Sequence, residues 1–275
     1  SDMKSGLAVM AFVLGELAES GCVPQKTIVF AGTCDEERGG LGAKEIIKEY
    51  PDLFPELLLI GEPTSCQAGV AQKGCIWLKL SVSGKTSHGA EPWQGINALE
   101  QGFGLLADLR EELKREEHPV LGHSTLQITM AEGGIAPNMT PDRAKFLADI
   151  RIVPPLNEKE VLNRLECLMQ KRCEVYNGGL AFVPEITNYR MPVETGPENQ
   201  WLHRLKGFIG DDAGETGINY FTDASILLTA WPDSPALLFG PGEPQMCHKP
   251  NEYVEISKYL EAIRVMEKFC WYIAK

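Results

Sequence analysis

The chain changes its hydrophobic period twice, and that change most limits what it can fold into. Toward the N-terminus apolar residues come in short unbroken runs, 27–32 (TIVFAG) and 57–61 (LLLIG), and a third such run, 235–240 (PALLFG), lies near the C-terminus. Runs of this length read as strands buried on both faces. Between them the pattern alternates, in 76–84 (IWLKLSVSG), 124–134 (STLQITMAEGG), 143–153 (RAKFLADIRIV) and 180–186 (LAFVPEI), as strands with one wet face do.

Helical periodicity fills the gaps. Residues 5–20 read as a mostly buried helix stopped at Gly21, and a second helix is expected after the glycines that follow residues 34–38 (CDEER). Residues 96–117 and 157–173 are amphipathic, 201–209 (WLHRLKGFI) is helical, and the tail 251–273 has apolar positions at 256, 260, 263, 266 and 270. The order across 75–187 is therefore βαββαβ, the split ferredoxin-like pattern of an antiparallel sheet with two helices on one face. Residues 1–74 and 188–275 then form the two parts of one mainly parallel α/β domain, interrupted by an inserted α+β domain at 75–187.

Composition narrows the function. A formal charge of −12 over 275 residues argues against nucleic acid and anionic membranes, which want a basic face. The longest apolar stretch, 7–15, is too short to span a bilayer, and no cleavable signal sequence is expected. Eight cysteines are scattered without a CxxC, which reads as reduced thiols in the cytoplasm.

In an α/β sheet, sites form beyond the carboxyl ends of the strands. Glu36 and Glu37 follow the first apolar run, Glu62 the second and His248 the third, while Asp2 precedes the first helix. Each has a plain alternative: Asp2 as a helix cap, Glu36 and Glu37 as acids at a helix start, Glu62 as a loop acid, His248 as a surface histidine. Together they are the oxygen and imidazole donors of a hydrolytic zinc site. Adjacent glutamates suit it, because consecutive side chains leave the backbone in different directions, one toward a metal and one toward water as a general base.

The motifs SDMKSG, TCDEERGG, GEPT, SHGAEPWQGINAL, GGIAPNMTPDRAKFLADIR, FTDAS and GPGEPQMCHKPNEYV, in this order over essentially the whole chain, resemble those of the M20 metallopeptidases, particularly the branch of acetylornithine deacetylase and succinyl-diaminopimelate desuccinylase. The resemblance implies two divalent ions, zinc with cobalt or manganese as alternatives. It makes Asp2 the carboxylate shared between them, with a cis bond to Met3, Glu37 and His248 ligands of one ion, and Glu62 a ligand of the other. It makes Glu36 the general base, and the inserted domain a lid through which two copies form a homodimer. His88 in the lid would help hold the oxyanion in a partner's active site, Asn138, Arg151 and Thr222 would bind substrate, and Thr222 with Asp223 would lie in a loop beside the site.

The implied reaction is hydrolysis of an amide in a small N-acylated amino acid by water activated on zinc. A dipeptidase, tripeptidase, carboxypeptidase or aminoacylase acting on short peptides or related amides, or a non-catalytic dimeric homologue, stands as the alternative. One family ligand, a histidine in an HxD motif upstream of the bridging Asp, has no counterpart in this sequence, so the ion served by Glu62 is expected to bind weakly and activity to be low or absent. His118 and His123 are expected to be ordinary loop histidines.

Overall fold

The computed structural model describes residues 1–210 and 213–275. In chain order the elements are α1 (Lys4–Glu19), α2 (Leu41–Glu49), β1 (Leu58–Ile60), β2 (Ala68–Gln72), β3 (Gly74–Ser83) and α3 (Ala98–Leu113). There follow β4 (Glu117–His118), β5 (Gly122–His123), β6 (Thr125–Gly133), β7 (Arg143–Ile152), α4 (Glu158–Val175) and β8 (Ala181–Arg190). The chain closes with β9 (Val193–Glu194), α5 (Gln200–Ile209), β10 (Glu215–Ile218), α6 (Ala224–Ala230), β11 (Ala236–Leu238) and α7 (Ile256–Ala274). It divides into two compact units, Ser1–Gln72 with Val193–Lys275, and Lys73–Pro192.

The first unit is built on a sheet ordered β1-β11-β2-β10, with β9 also pairing β2. It is mixed: β1 runs parallel to β11 and β10 to β2, whereas β11 and β9 are antiparallel to β2. Ala43 of α2 and Ile226 and Leu227 of α6 cluster with Leu58 and Ile60 of β1. Helix α1 packs on α7, burying Val9, Val13 and Leu17 near a stripe of Ala262, Val265, Met266 and Phe269. Each large side chain taken from water there contributes about 1.5–3 kcal/mol.

Residues 27–32 depart from expectation. They form no strand, and Val29 and Phe30 are 62% and 42% exposed. An apolar run supplies propensity, but a strand exists only through ladder partners, and none of the described strands pairs with it. Conversely β2, with the sequence AGVAQ, is fully buried although its small residues carry little β-propensity. Its pairing with three neighbours overrides composition.

In the second unit β6-β7-β3-β8 form a wholly antiparallel sheet in that order. Ile76, Leu78, Leu80 and Val82 of β3 and Phe146, Ala148 and Ile150 of β7 face α3 and α4, whose Leu105, Leu106, Leu109, Val161 and Leu165 complete the core. Asn97 caps α3 by accepting from the Leu99 and Glu100 N–H groups, and Asn157 with Glu160 closes a capping box on α4. Strand β8 runs to Arg190, past the boundary expected at 187.

Candidate metal centre

Three loops and one helix start bring the acids and the histidine of the first unit together. Glu62 leaves the end of β1 in the turn 61–65 (GEPTS), which is tied to the end of β11: Phe239 N–H donates to Ile60 O, and Thr64 N–H and Cys66 N–H donate to Gly240 O. Helix α1 begins hard against the same turn. A Cβ at Gly6 would lie 1.8 Å from Gly61 O, so glycine there permits the contact. Asp2 is not a cap: Met3 occupies the N-cap position, and no side chain caps α1. The Asp2–Met3 bond is cis, and Asp2 N–H donates to Glu252 Oε1 at 2.7 Å.

Glu36 and Glu37 are displayed by a tight loop. Asp35, at φ +65°, turns the chain, and its carbonyl accepts from the N–H groups of Arg38, Gly39 and Gly40. His248, at φ +58°, sits in the loop between β11 and α7. Left-handed backbone at a residue other than glycine is uncommon and concentrates at functional sites.

The outcome is a cluster. One ligand atom each from Asp2, Glu37 and His248 lie within 4.8 Å of one another, with His248 Nε2 at 3.5 Å from both Asp2 Oδ2 and Glu37 Oε1. Glu62 is 3% exposed, and its Oε2 has no hydrogen-bond partner. Burial first, then the charges of Asp2 and Glu36, hold its carboxyl well above the ordinary range. Carboxylates converging on a buried acid repel one another unless a proton or a cation joins them. The donor set, mixed oxygen and imidazole with one orphaned buried oxygen, fits a divalent ion of the zinc class.

Other expected site residues lie elsewhere or are engaged. Thr222 is 1% exposed; its hydroxyl donates to Gln72 Oε1 at 2.6 Å and accepts from Ala224 N–H, so it braces the turn into α6. Asp223 is buried and contributes to raising the Glu62 carboxyl. His88, Asn138 and Arg151 belong to the second unit. His88 and Asn138 are exposed and adjacent, Gly89 N–H donating to Asn138 O at 2.7 Å. Arg151 is gripped by Asp149 through Nε at 2.7 Å and Nη2 at 3.0 Å. His118 is buried in the β4–β5 hairpin, its Nδ1 accepting from Val120 and Leu121 N–H, and the His123 ring contacts Glu116 O. Both serve their own loop.

Sequence reasoning missed Tyr220, Cys247 and Gln72. Cys247 stands beside a singled-out histidine, which was the available signal. Tyr220 and Gln72 carried none.

Comparison with known proteins agrees with the geometry. Residues 70–177 match a family described as a peptidase dimerisation domain, M20_dimer. Acetylornithine deacetylase of Shigella sonnei (strain Ss046) is 29% identical, over 99% of this chain and 71% of that protein. Aminopeptidase PepT of Bacillus cereus ATCC 10987 superposes with a TM-score of 0.78 at 21% identity, covering 99% of this chain and 71% of that one. An M20 family metallo-carboxypeptidase of Sulfolobus solfataricus gives 0.67 at 16% identity, covering 98% and 75%. At those identities the two structures show the shared fold. Residues 70–177 thus match an M20 peptidase dimerisation domain, the chain along its whole length is similar to acetylornithine deacetylase, and its fold is that of M20 peptidase structures.

Proposed function

We propose that the chain hydrolyses the amide bond of a small N-acylated amino acid in a reaction that depends on divalent metal. The observation that carries this reading is the convergence of Asp2, Glu37 and His248 beside the buried Glu62. Asp2, Glu37 and His248 would hold one ion, and Asp2 with Glu62 a second. Bound there, the metal supplies Lewis acidity toward water and the amide carbonyl.

The protein's own groups do the rest. Glu36 stands next to Glu37 in the loop that Asp35 turns, close enough to Glu62 to raise its carboxyl. It takes the proton of the attacking water and returns it to the nitrogen, because an amine leaves poorly unless protonated. To His88 we assign the oxyanion, and to Asn138 and Arg151 the substrate's carboxylate, on the motifs in which they stand; an Arg fork matches a carboxylate in two bonds. The M20_dimer match supports assembly as a homodimer through that unit.

Zinc binding and release of free amine from N-acetylornithine, N-succinyl-diaminopimelate and small peptides test the proposal. His248→Ala should lose zinc. Glu36→Gln should keep zinc and lose roughly 10²–10⁴-fold in rate. Release from peptides alone would move the assignment to a peptidase, and a protein that takes up no divalent ion would end it.

A further inference from the structure

The segment that carries Asp2 is seated in the loop that carries His248. Glu252 Oε1 accepts the Asp2 N–H at 2.7 Å, and Ser1 N lies 2.7 Å from the same oxygen. Ser1 Oγ donates to Glu243 O at 3.3 Å. A Cβ at Gly242 would lie 2.5 Å from Ser1 Oγ and 2.8 Å from Ser1 O, so glycine there leaves the room that the segment fills. We propose that Glu252 is a positioning residue for Asp2: its carboxylate ties the backbone of one candidate ligand to the loop of another, and so sets Asp2 and His248 where both reach one divalent ion.

Asp2 stands before the N-cap of α1, where no helical carbonyl is available to its N–H. Glu252 supplies the acceptor from 250 positions away, and a backbone N–H on an ionised carboxylate is a charge-assisted bond, stronger than a neutral one. Glu252 follows His248 by four residues. In the turn between them Lys249 N–H donates to Met246 O at 3.2 Å, and His248 and Asn251 adopt left-handed backbone at φ +58° and +62°. One short piece of chain therefore places both the imidazole and the carboxylate that holds Asp2, and His248 Nε2 stands 3.5 Å from Asp2 Oδ2. With Oε1 committed to N–H donors, Glu252 acts on the ion through Asp2. Groups that orient a ligand by hydrogen bonds typically change metal affinity about 10–100-fold when removed.

The inference rests on the proposed metal centre, and zinc titrations against a chromogenic chelator, with the melting temperature of each metal-free variant measured alongside, separate the two. His248→Ala tests the centre. Glu252→Gln keeps an oxygen that can accept the Asp2 N–H but carries no charge, whereas Glu252→Asp keeps the charge on a side chain one methylene shorter. Glu252→Ala and Glu252→Asp should bind zinc about 10–100-fold more weakly, and Glu252→Gln should stay within about threefold of the parent. If His248→Ala loses zinc while Glu252→Ala and Glu252→Asp bind like the parent, the tie is wrong and the centre stands; a lower metal-free melting temperature with that result makes Glu252 a structural anchor only. If Glu252→Gln falls as far as Glu252→Ala while Glu252→Asp holds, the charge acts alone and the proposal is overturned. If His248→Ala binds like the parent, the centre fails and the inference with it.

Discussion

Glu62 shows most directly what a single residue feels here. Its carboxyl is buried among Asp2, Glu36 and Asp223, and its folded pKa is raised above the value it has in the unfolded chain, about 4.3. Between those two values the native metal-free protein binds a proton that the unfolded chain has released. The corresponding stability is fully present below the ordinary glutamate range and is lost as pH rises through the raised value. Glu62→Gln, which keeps a neutral polar group, should therefore flatten the fall in melting temperature of the metal-free protein as pH rises from about 4.5. An unchanged slope would show that another group carries it. At this scale residue type, with the position of Glu62 after β1 and of His248 after β11, singles out candidates, whereas Glu36 and Glu37 follow a run that forms no strand and Asp2 stands before a helix. Tyr220 escapes such a reading because a hydrogen bond to a residue 27 positions away leaves no local pattern.

Elements carry the same division between local rule and packing. Alanine is worth about 1 kcal/mol over glycine in an open helix. At Gly207 in α5 an added Cβ would meet nothing within 4 Å, so Gly207→Ala should stabilise by about 0.5–1 kcal/mol. In α3 a Cβ at Gly102 would lie 2.1 Å from Phe146 Cε2, a ring also packed edge-on by Phe103. There the same substitution should destabilise by about 1–3 kcal/mol. Urea unfolding of the two variants measures both signs, and two shifts of the same sign would refute the packing argument. The amphipathic helices α3 and α4 and the alternating strands β3, β6 and β7 are legible in the sequence because one face of each is wet, which writes a period into the residues. Residues 27–32 mislead because strand propensity says nothing of a partner, and β2 leaves no signal because its burial comes from its neighbours.

For the whole molecule, the candidate ligands are remote in sequence: Asp2 lies before α1, Glu37 before α2, Glu62 after β1 and His248 before α7. A cation joining them would cross-link four segments of the first unit, and it stabilises the folded state by mass action. Zinc should slow amide hydrogen exchange around residues 2–7, 35–40, 61–65 and 246–252 and leave the sheet of Lys73–Pro192 unchanged; uniform protection of both units would count against binding at this centre. What the sequence by itself determined were the hydrophobic periods of the helices and alternating strands and the chemical types of the acids and the histidine, since these follow from neighbours a few residues apart. The tertiary structure alone decided the strand order and the mixed direction of the first sheet, the engagement of Thr222 by Gln72, and the burial that raises the Glu62 carboxyl. Each depends on groups brought together from distant parts of the chain, where the electrostatic and packing energies are set by separation in space.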